Sequence, residues 1–218
     1  TKLSKVRIGE YDLATEKDCD YLGSCIGKYQ DFDIEYTRPH RLYTKETSQN
    51  DIGLIRLQGI VDFEPPNIRP ICLPLHPETS AEINSLPAKA VVAGWGTTES
   101  GRTSNRLLKV RLPLLSIEFC KKNYAHRMNV ELSSEKQICA GGVKGQDTCS
   151  GDSGGPLHAI ASYGLRPSTV QYGIVSYGPA RCGMSGYAGV YTRVSYYIDW
   201  ILDNIESTEP EEMINFDI

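Results

Sequence analysis

Short runs of apolar and β-branched residues recur along the chain, and most of them end at Gly or Pro. Residues 90–100 (AVVAGWGTTES), 107–115 (LLKVRLPLL), 155–162 (GPLHAIAS), 170–178 (VQYGIVSYG) and 188–195 (AGVYTRVS) have the composition of strands, as does 51–57 (DIGLIRL). Between them, 64–79 (EPPNIRPICLPLHPET) is rich in proline and predicts a long surface crossing, with a subdomain boundary between residues 65 and 90. The period changes only near the end. Ile198, Ile201, Leu202 and Ile205 fall at i, i+3, i+4 and i+7, which predicts an amphipathic helix over 196–206. The expected class is all-β with a closing helix. Residues 206–218 carry acidic groups without Lys or Arg and read as a solvated, partly disordered tail.

At 218 residues, 40% hydrophobic and 23% charged, the chain can bury one large core or two packed ones. A net charge of -4 speaks against a polyanion-binding surface, so nucleic acid is not an expected partner. No apolar run reaches membrane-spanning length and the first residues have no signal-like apolar core, so a secretion signal, if used, is expected upstream. Seven cysteines, at 19, 25, 72, 120, 139, 149 and 182, lack zinc-type spacing. Their spread suits disulfides in an oxidising compartment, and the odd count leaves one without a partner within the chain.

Candidate chemistry concentrates in residues 147–156, DTCSGDSGGP. Acyl transfer needs a serine on a tight turn and backbone N–H groups converging on the oxygen that becomes negative. Gly151, Gly154 and Gly155 permit such a turn around Ser153, with the amides of Gly151 and Ser153 as the oxyanion donors. An ordinary glycine-rich turn would satisfy that short pattern too, so its neighbours decide.

Together with DTCSGDSGGP, the segments GIVSYG, AGVYTRV, AGWGTTE and NDIGLIRL, in their order and spacing, resemble the chymotrypsin-like (trypsin-type) serine proteases over nearly the whole chain. The resemblance implies two antiparallel Greek-key β-barrels, a C-terminal helix and an active site in the cleft between the barrels. It implies that Ser153 is the nucleophile, that Asp51 orients a histidine base, and that Ser176 helps satisfy Asp51. Asp152 matches the carboxylate that pairs with an ammonium freed by zymogen cleavage. Asp147 matches the floor of the S1 pocket, Gly178 and Gly189 its walls, with Thr148 lining it. A carboxylate there favours a cationic P1 residue, hence cleavage after Arg or Lys. Tyr177 stands where many relatives carry Trp.

No segment matches the one that carries the family's histidine. His40 precedes Asp51 by eleven residues in RPHRLY, which resembles a family strand away from the catalytic base. His76 lies in the proline-rich crossing, and His126 and His158 follow Asp51, so each is expected to be structural. Residues 1–205 are therefore expected to form a protease domain lacking its first strands and its activated N-terminus, nearly inactive alone because loss of the base removes most of the turnover. The alternatives are a nicked or partial protease and a non-catalytic homologue acting as a cascade cofactor.

The family pattern pairs Cys120 with Cys139 and Cys149 with Cys182. Cys19 and Cys25 are close enough to close a loop of their own, and Cys72 matches the position that links the catalytic domain to an upstream light chain or clip domain. Both features, with VRIGEYDLATEKDCDYLGSC, resemble the clip-domain proteases of arthropod cascades more than a digestive trypsin. The implied setting is extracellular: zymogen substrates in innate immunity, melanisation or Toll-type signalling, with serpins as inhibitors and no membrane partner. Glu10, Asp12, Thr15 and Asp18 supply oxygens of the kind Ca²⁺ takes, and similar family loops bind calcium. The expected ligands are Glu10, Asp18 and backbone oxygens at Asp12 and Thr15.

Overall fold

A computed structural model describes residues 3–75, 88–125, 131–163 and 166–206. Three antiparallel strands open the chain: β1 (Lys5–Ile8), β2 (Gln30–Pro39) and β3 (Gly53–Leu57), in the order β1-β2-β3. Six more close into a barrel in the order β4-β5-β6-β9-β8-β7. They are β4 (Lys89–Gly94), β5 (Leu108–Leu115), β6 (Gln137–Gly141), β7 (Pro156–Tyr163), β8 (Arg166–Tyr177) and β9 (Ala188–Arg193). Closure leaves that unit no sheet edge. All named pairings are antiparallel, as expected for a mostly β protein of two units.

Alternation builds the barrel core. On β4, Ala90 and Val92 point inward and meet Leu112, Leu157, Val170 and Tyr191. β6, with the sequence QICAG, is buried at every position and so has no alternation to read, which is why sequence patterning did not predict it. The crossing between the two units docks on the barrel at Cys72, whose amide donates to Thr169 O at 3.1 Å while its carbonyl accepts the Gln171 amide at 2.9 Å. The boundary expected between 65 and 90 lies between β3 and β4, and residues 76–87 of it fall outside the described residues.

Three local expectations need correction. The chain forms a helix before the closing one: α1 (Ile117–Tyr124), IEFCKKNY, which buries Cys120 and Tyr124 at i and i+4. Ile117 and Phe119 pack beside them, but two turns interrupted by Lys121 and Lys122 are too short for a helical period to stand out. The closing element begins as a 3₁₀ turn, Val194–Tyr197, and continues as α2 (Ile198–Glu206). Of the four residues on its expected apolar face, Ile201 is buried and Ile198 packs beside it, while Leu202 and Ile205 are exposed. Finally, RPHRLY is not one strand: β2 ends at Pro39 and His40 begins a turn, with the Tyr43 amide donating to His40 O. The acidic tail beyond residue 206 lies outside the described residues.

Candidate active site

The turn around Ser153 is held by its flanks. The Asp152 amide donates to Cys149 O, the Gly155 amide to Asp152 O, and the Gly154 amide to Val175 O, each at 2.9 Å. Gly151 sits at φ +98°, a left-handed backbone conformation that any Cβ would strain. Among the described residues, the amides of Gly151 and Ser153 take no hydrogen-bond partner, and both residues are exposed. Two free donors beside an exposed hydroxyl are the elements an oxyanion hole requires.

Asp152 is held by its own turn and by the loop after β4. Its Oδ2 accepts the Cys149 amide at 2.9 Å and its Oδ1 accepts the Gly96 amide at 2.8 Å. Asp147, six residues before Ser153, accepts the Thr148 amide at 2.9 Å and the Gly183 amide at 3.1 Å. The Cys149–Cys182 disulfide ties these two loops together. Burial pushes the Asp147 carboxyl above the usual carboxylate range, more than the two amides lower it. Thr148 is buried, with its hydroxyl 3.3 Å from that of Tyr191. A cavity of about 630 Å³ opens between the loop that precedes Ser153 and the loops at 96–101 and 180–183, with Asp147 and Asp152 both in its lining. A side chain at Gly178 would meet open space, whereas one at Gly189 would stand 3.2 Å from the Tyr191 ring and hydroxyl.

Asp51 joins this assembly through β8. The register of β8 on β9 slips between Val175 and Tyr177, a bulge at Ser176 that turns its hydroxyl out of the ladder. Ser176 Oγ donates to Asp51 Oδ2 at 2.6 Å. The preceding residue, Val175, exchanges hydrogen bonds with the Ser153 turn: its carbonyl accepts from Gly154 and its amide donates to Gly155 O, both at 2.9 Å. One strand end therefore fixes both the aspartate and the serine turn. Thr192 Oγ1 also donates to Asp51 O at 2.7 Å, a contact between residues so distant in sequence that no spacing announced it. Burial raises the Asp51 carboxyl above its usual range, opposed by the Ser176 hydrogen bond.

The described histidines lie elsewhere in structural settings. His40 stacks edge-on to Tyr197 and tilted on Trp200, and its Nδ1 accepts the Leu42 amide at 3.2 Å. His158, on β7 opposite Val91 and Gln171, is half-buried, and its Nδ1 has no partner. Burial lowers its pKa, favouring the neutral ring. His76 and His126 lie outside the described residues.

In the acidic loop, where calcium is expected, the side chains bond within the chain. Glu10 Oε1 and Asp18 Oδ2 converge on the Tyr11 amide at 2.9 and 3.2 Å. Asp12 turns its Oδ2 to Arg106 Nε at 2.9 Å while its carbonyl, one of the expected backbone ligands, accepts the Thr15 amide at 3.0 Å, and Thr15 donates its hydroxyl to Asp18 Oδ1 at 2.5 Å. Among the described residues, no group of three His, Cys, Asp or Glu is placed to hold a metal ion. A Cys19–Cys25 disulfide closes the short loop that follows, and a third disulfide joins Cys120 to Cys139, leaving Cys72 free and half-buried.

Exposed Ser153 on its glycine turn and half-buried Asp51 are tethered to the same strand end, with Asp147 in the adjoining cavity, all on or against the barrel unit. The chain matches the Trypsin family over residues 17–201 and belongs to that family. It is 42% identical to the CLIP domain-containing serine protease HP8 of Bombyx mori over 94% of this chain and 54% of that protein. It is 40% identical to Melanization protease 1 of Drosophila melanogaster over 94% of this chain and 52% of that protein. The crystal structure of the Drosophila Grass clip serine protease of the Toll pathway superposes with a TM-score of 0.83 at 36% identity, over 95% of this chain and 58% of that one. The chain thus spans about half the length of the curated relatives it matches. Among the described residues no helix is long and apolar enough to cross a membrane.

Proposed function

We propose that residues 1–205 are the larger part of the catalytic domain of a secreted cascade endopeptidase that cleaves protein zymogens after Arg or Lys. The observation that carries this reading is the end of β8, where Ser176 holds Asp51 and Val175 holds the Ser153 turn. In the proposed reaction a histidine from outside this chain takes the proton of Ser153 Oγ as it attacks the scissile carbonyl. The Gly151 and Ser153 amides stabilise the oxyanion, which typically supplies about 3–4 kcal/mol per donor. Asp51 holds the histidine and stabilises its charged form. The same base then returns the proton to the leaving amine, and water repeats the sequence on the acyl-enzyme.

Asp147 is the proposed partner of a P1 guanidinium or ammonium group, because its half-buried carboxylate lines the cavity and, among the described residues, accepts two amides and no cation. Asp152 is the proposed partner of an activation-generated ammonium entering the adjoining cavity. Cys72 is proposed to carry a light chain or clip domain, and serpins to act as inhibitors, in line with melanisation and Toll cascades of the relatives. Calcium, held by Glu10 and Asp18 with backbone oxygens, is proposed as a stabilising ion only; loss of heat stability on adding EDTA supports it, and an unchanged melt removes it.

The deciding experiment is labelling of the native, activated material with a fluorophosphonate probe. The expected adduct is on Ser153 and disappears in Ser153→Ala. A native protein containing the upstream histidine that stays unlabelled would instead be a non-catalytic homologue.

A further inference from the structure

Asn50 immediately precedes Asp51 and is built into the molecule more tightly than a loop residue requires. It is 8% exposed and holds φ +56°, a left-handed conformation that asparagine tolerates better than other residues with a side chain. All of its side-chain polar atoms are used. Nδ2 donates to Leu42 O at 2.8 Å, within the loop between β2 and β3. Oδ1 accepts the Tyr197 hydroxyl at 3.1 Å and Lys136 Nζ at 3.3 Å, from the 3₁₀ turn before α2 and the turn before β6. The side chain therefore joins the first sheet to two elements of the barrel unit. Its carbonyl also accepts the Ile52 amide at 2.8 Å, closing a three-residue turn with Asp51 at its centre.

The consequence falls on the aspartate. A residue at the centre of a closed three-residue turn has its φ and ψ set by the two ends, and here the first end is fixed by Asn50. The second end is fixed as well, since Ile52 O accepts the His40 amide at 2.9 Å. With Thr192 on the Asp51 carbonyl and Ser176 on Oδ2, the remaining carboxylate oxygen, Oδ1, has its direction determined before any base arrives. A side chain with conventional backbone angles at residue 50 would rotate the turn and move that oxygen.

We infer that Asn50 is a positioning residue for catalysis, clamping the first sheet to the barrel unit through Tyr197 and Lys136 so that Asp51 Oδ1 is aimed at the catalytic base. The inference rests on the reading of Asp51 as the partner of that base. Asn50 itself touches neither substrate nor reacting atoms. Its contribution is geometric, and an error of about 1 Å in such a group costs up to roughly a hundredfold in rate.

The test uses the native activated protease, with the segment that supplies the histidine, titrated for active sites and assayed on an arginyl peptide substrate. Asn50→Gly keeps access to the left-handed backbone but deletes all three side-chain hydrogen bonds; Tyr197→Phe deletes one; Asp51→Asn tests the underlying reading. Asn50→Gly is expected to lower kcat about ten- to a hundredfold with KM within about twofold, and Tyr197→Phe severalfold in the same sense. If Asn50→Gly does not fold, Tyr197→Phe still decides. A normal kcat in both, or a change confined to KM, overturns the inference while a damaged Asp51→Asn leaves the triad reading standing. A normal kcat in Asp51→Asn overturns the triad reading and the inference with it.

Discussion

The amide of Gly96 donates to Oδ1 of Asp152 at 2.8 Å, and a Cβ on residue 96 would stand 2.5 Å from the Asp152 Cγ. The loop after β4 and the residue before Ser153 are thus in contact with no room for a side chain between them. Gly96→Ala is expected to push the Asp152 carboxylate away and disturb the turn that presents Ser153. Overpacking of this kind costs about 1–3 kcal/mol. Thermal melting together with the rate of fluorophosphonate labelling on the native protease measures both effects. A variant that melts and labels like the parent would show that Asp152 can move without consequence.

Asp147 sets a conflict between stability and specificity. Its pKa is raised by burial, so the folded state binds more protons than the unfolded one in the range above the usual carboxylate pKa. The direction follows: this group favours folding at acid pH, and the advantage is lost as pH rises through the folded pKa. Asp51 contributes in the same sense. Asp147→Asn is therefore expected to raise stability at neutral pH by on the order of 1 kcal/mol after solvent screening, about 2–4 °C in Tm for a chain of this size. The gain should vanish at a pH below the ordinary carboxylate range, while cleavage after Arg and Lys is lost. Melts of both proteins across pH check the sign. A variant less stable than the parent at neutral pH would mean that the carboxylate has a compensating cation.

The two halves of the site differ in how far the sequence revealed them. Strands with one buried face, such as β4 with Ala90 and Val92 inward, carry an alternation that can be read directly. The fully buried β6 and the polar α1 do not, because burial on all sides erases the period and lysines on the exposed face of α1 mask it. Ser153, Asp147 and Asp152 lie within seven residues and could be read as one local motif, and their loop geometry follows from the glycines. Contacts across the fold were invisible. Neither the Thr192 hydroxyl on Asp51 O nor the clamp on Asn50 leaves a local trace, since each joins segments separated by most of the chain. The exposed Leu202 and Ile205 show the converse: a helical apolar pattern records a periodicity, not what lies against it.

The Cys120–Cys139 disulfide is buried at both ends and fastens α1 to β6. Closing a loop of this length restricts the unfolded chain by about 3 kcal/mol in the entropic account. Replacing both cysteines by Ala is expected to cost about that much, with an added penalty for the cavity left among Tyr124, Leu132 and Val190. Urea unfolding of the native protein against the double variant measures the difference. A loss well under 1 kcal/mol would indicate that packing alone holds α1.

Cys72 gives the most direct prediction about the native molecule. It is the free cysteine of the chain, half-buried, and its backbone is bound on both sides to β8 through Thr169 and Gln171. A thiol held against the barrel strand β8, in a chain whose other six cysteines are paired as disulfides, is expected to be oxidised onto a partner thiol in an oxidising compartment. The intact mass of native material is expected to exceed that of residues 1–218 and to fall on reduction, releasing a segment that contains the catalytic histidine if both are on one linked piece. Cys72→Ser should abolish the higher mass while leaving the melt of the barrel unchanged, because the Thr169 and Gln171 hydrogen bonds use only its backbone. A native mass equal to that of residues 1–218, with and without reductant, would leave Ser153 without a base and remove endopeptidase activity from this molecule.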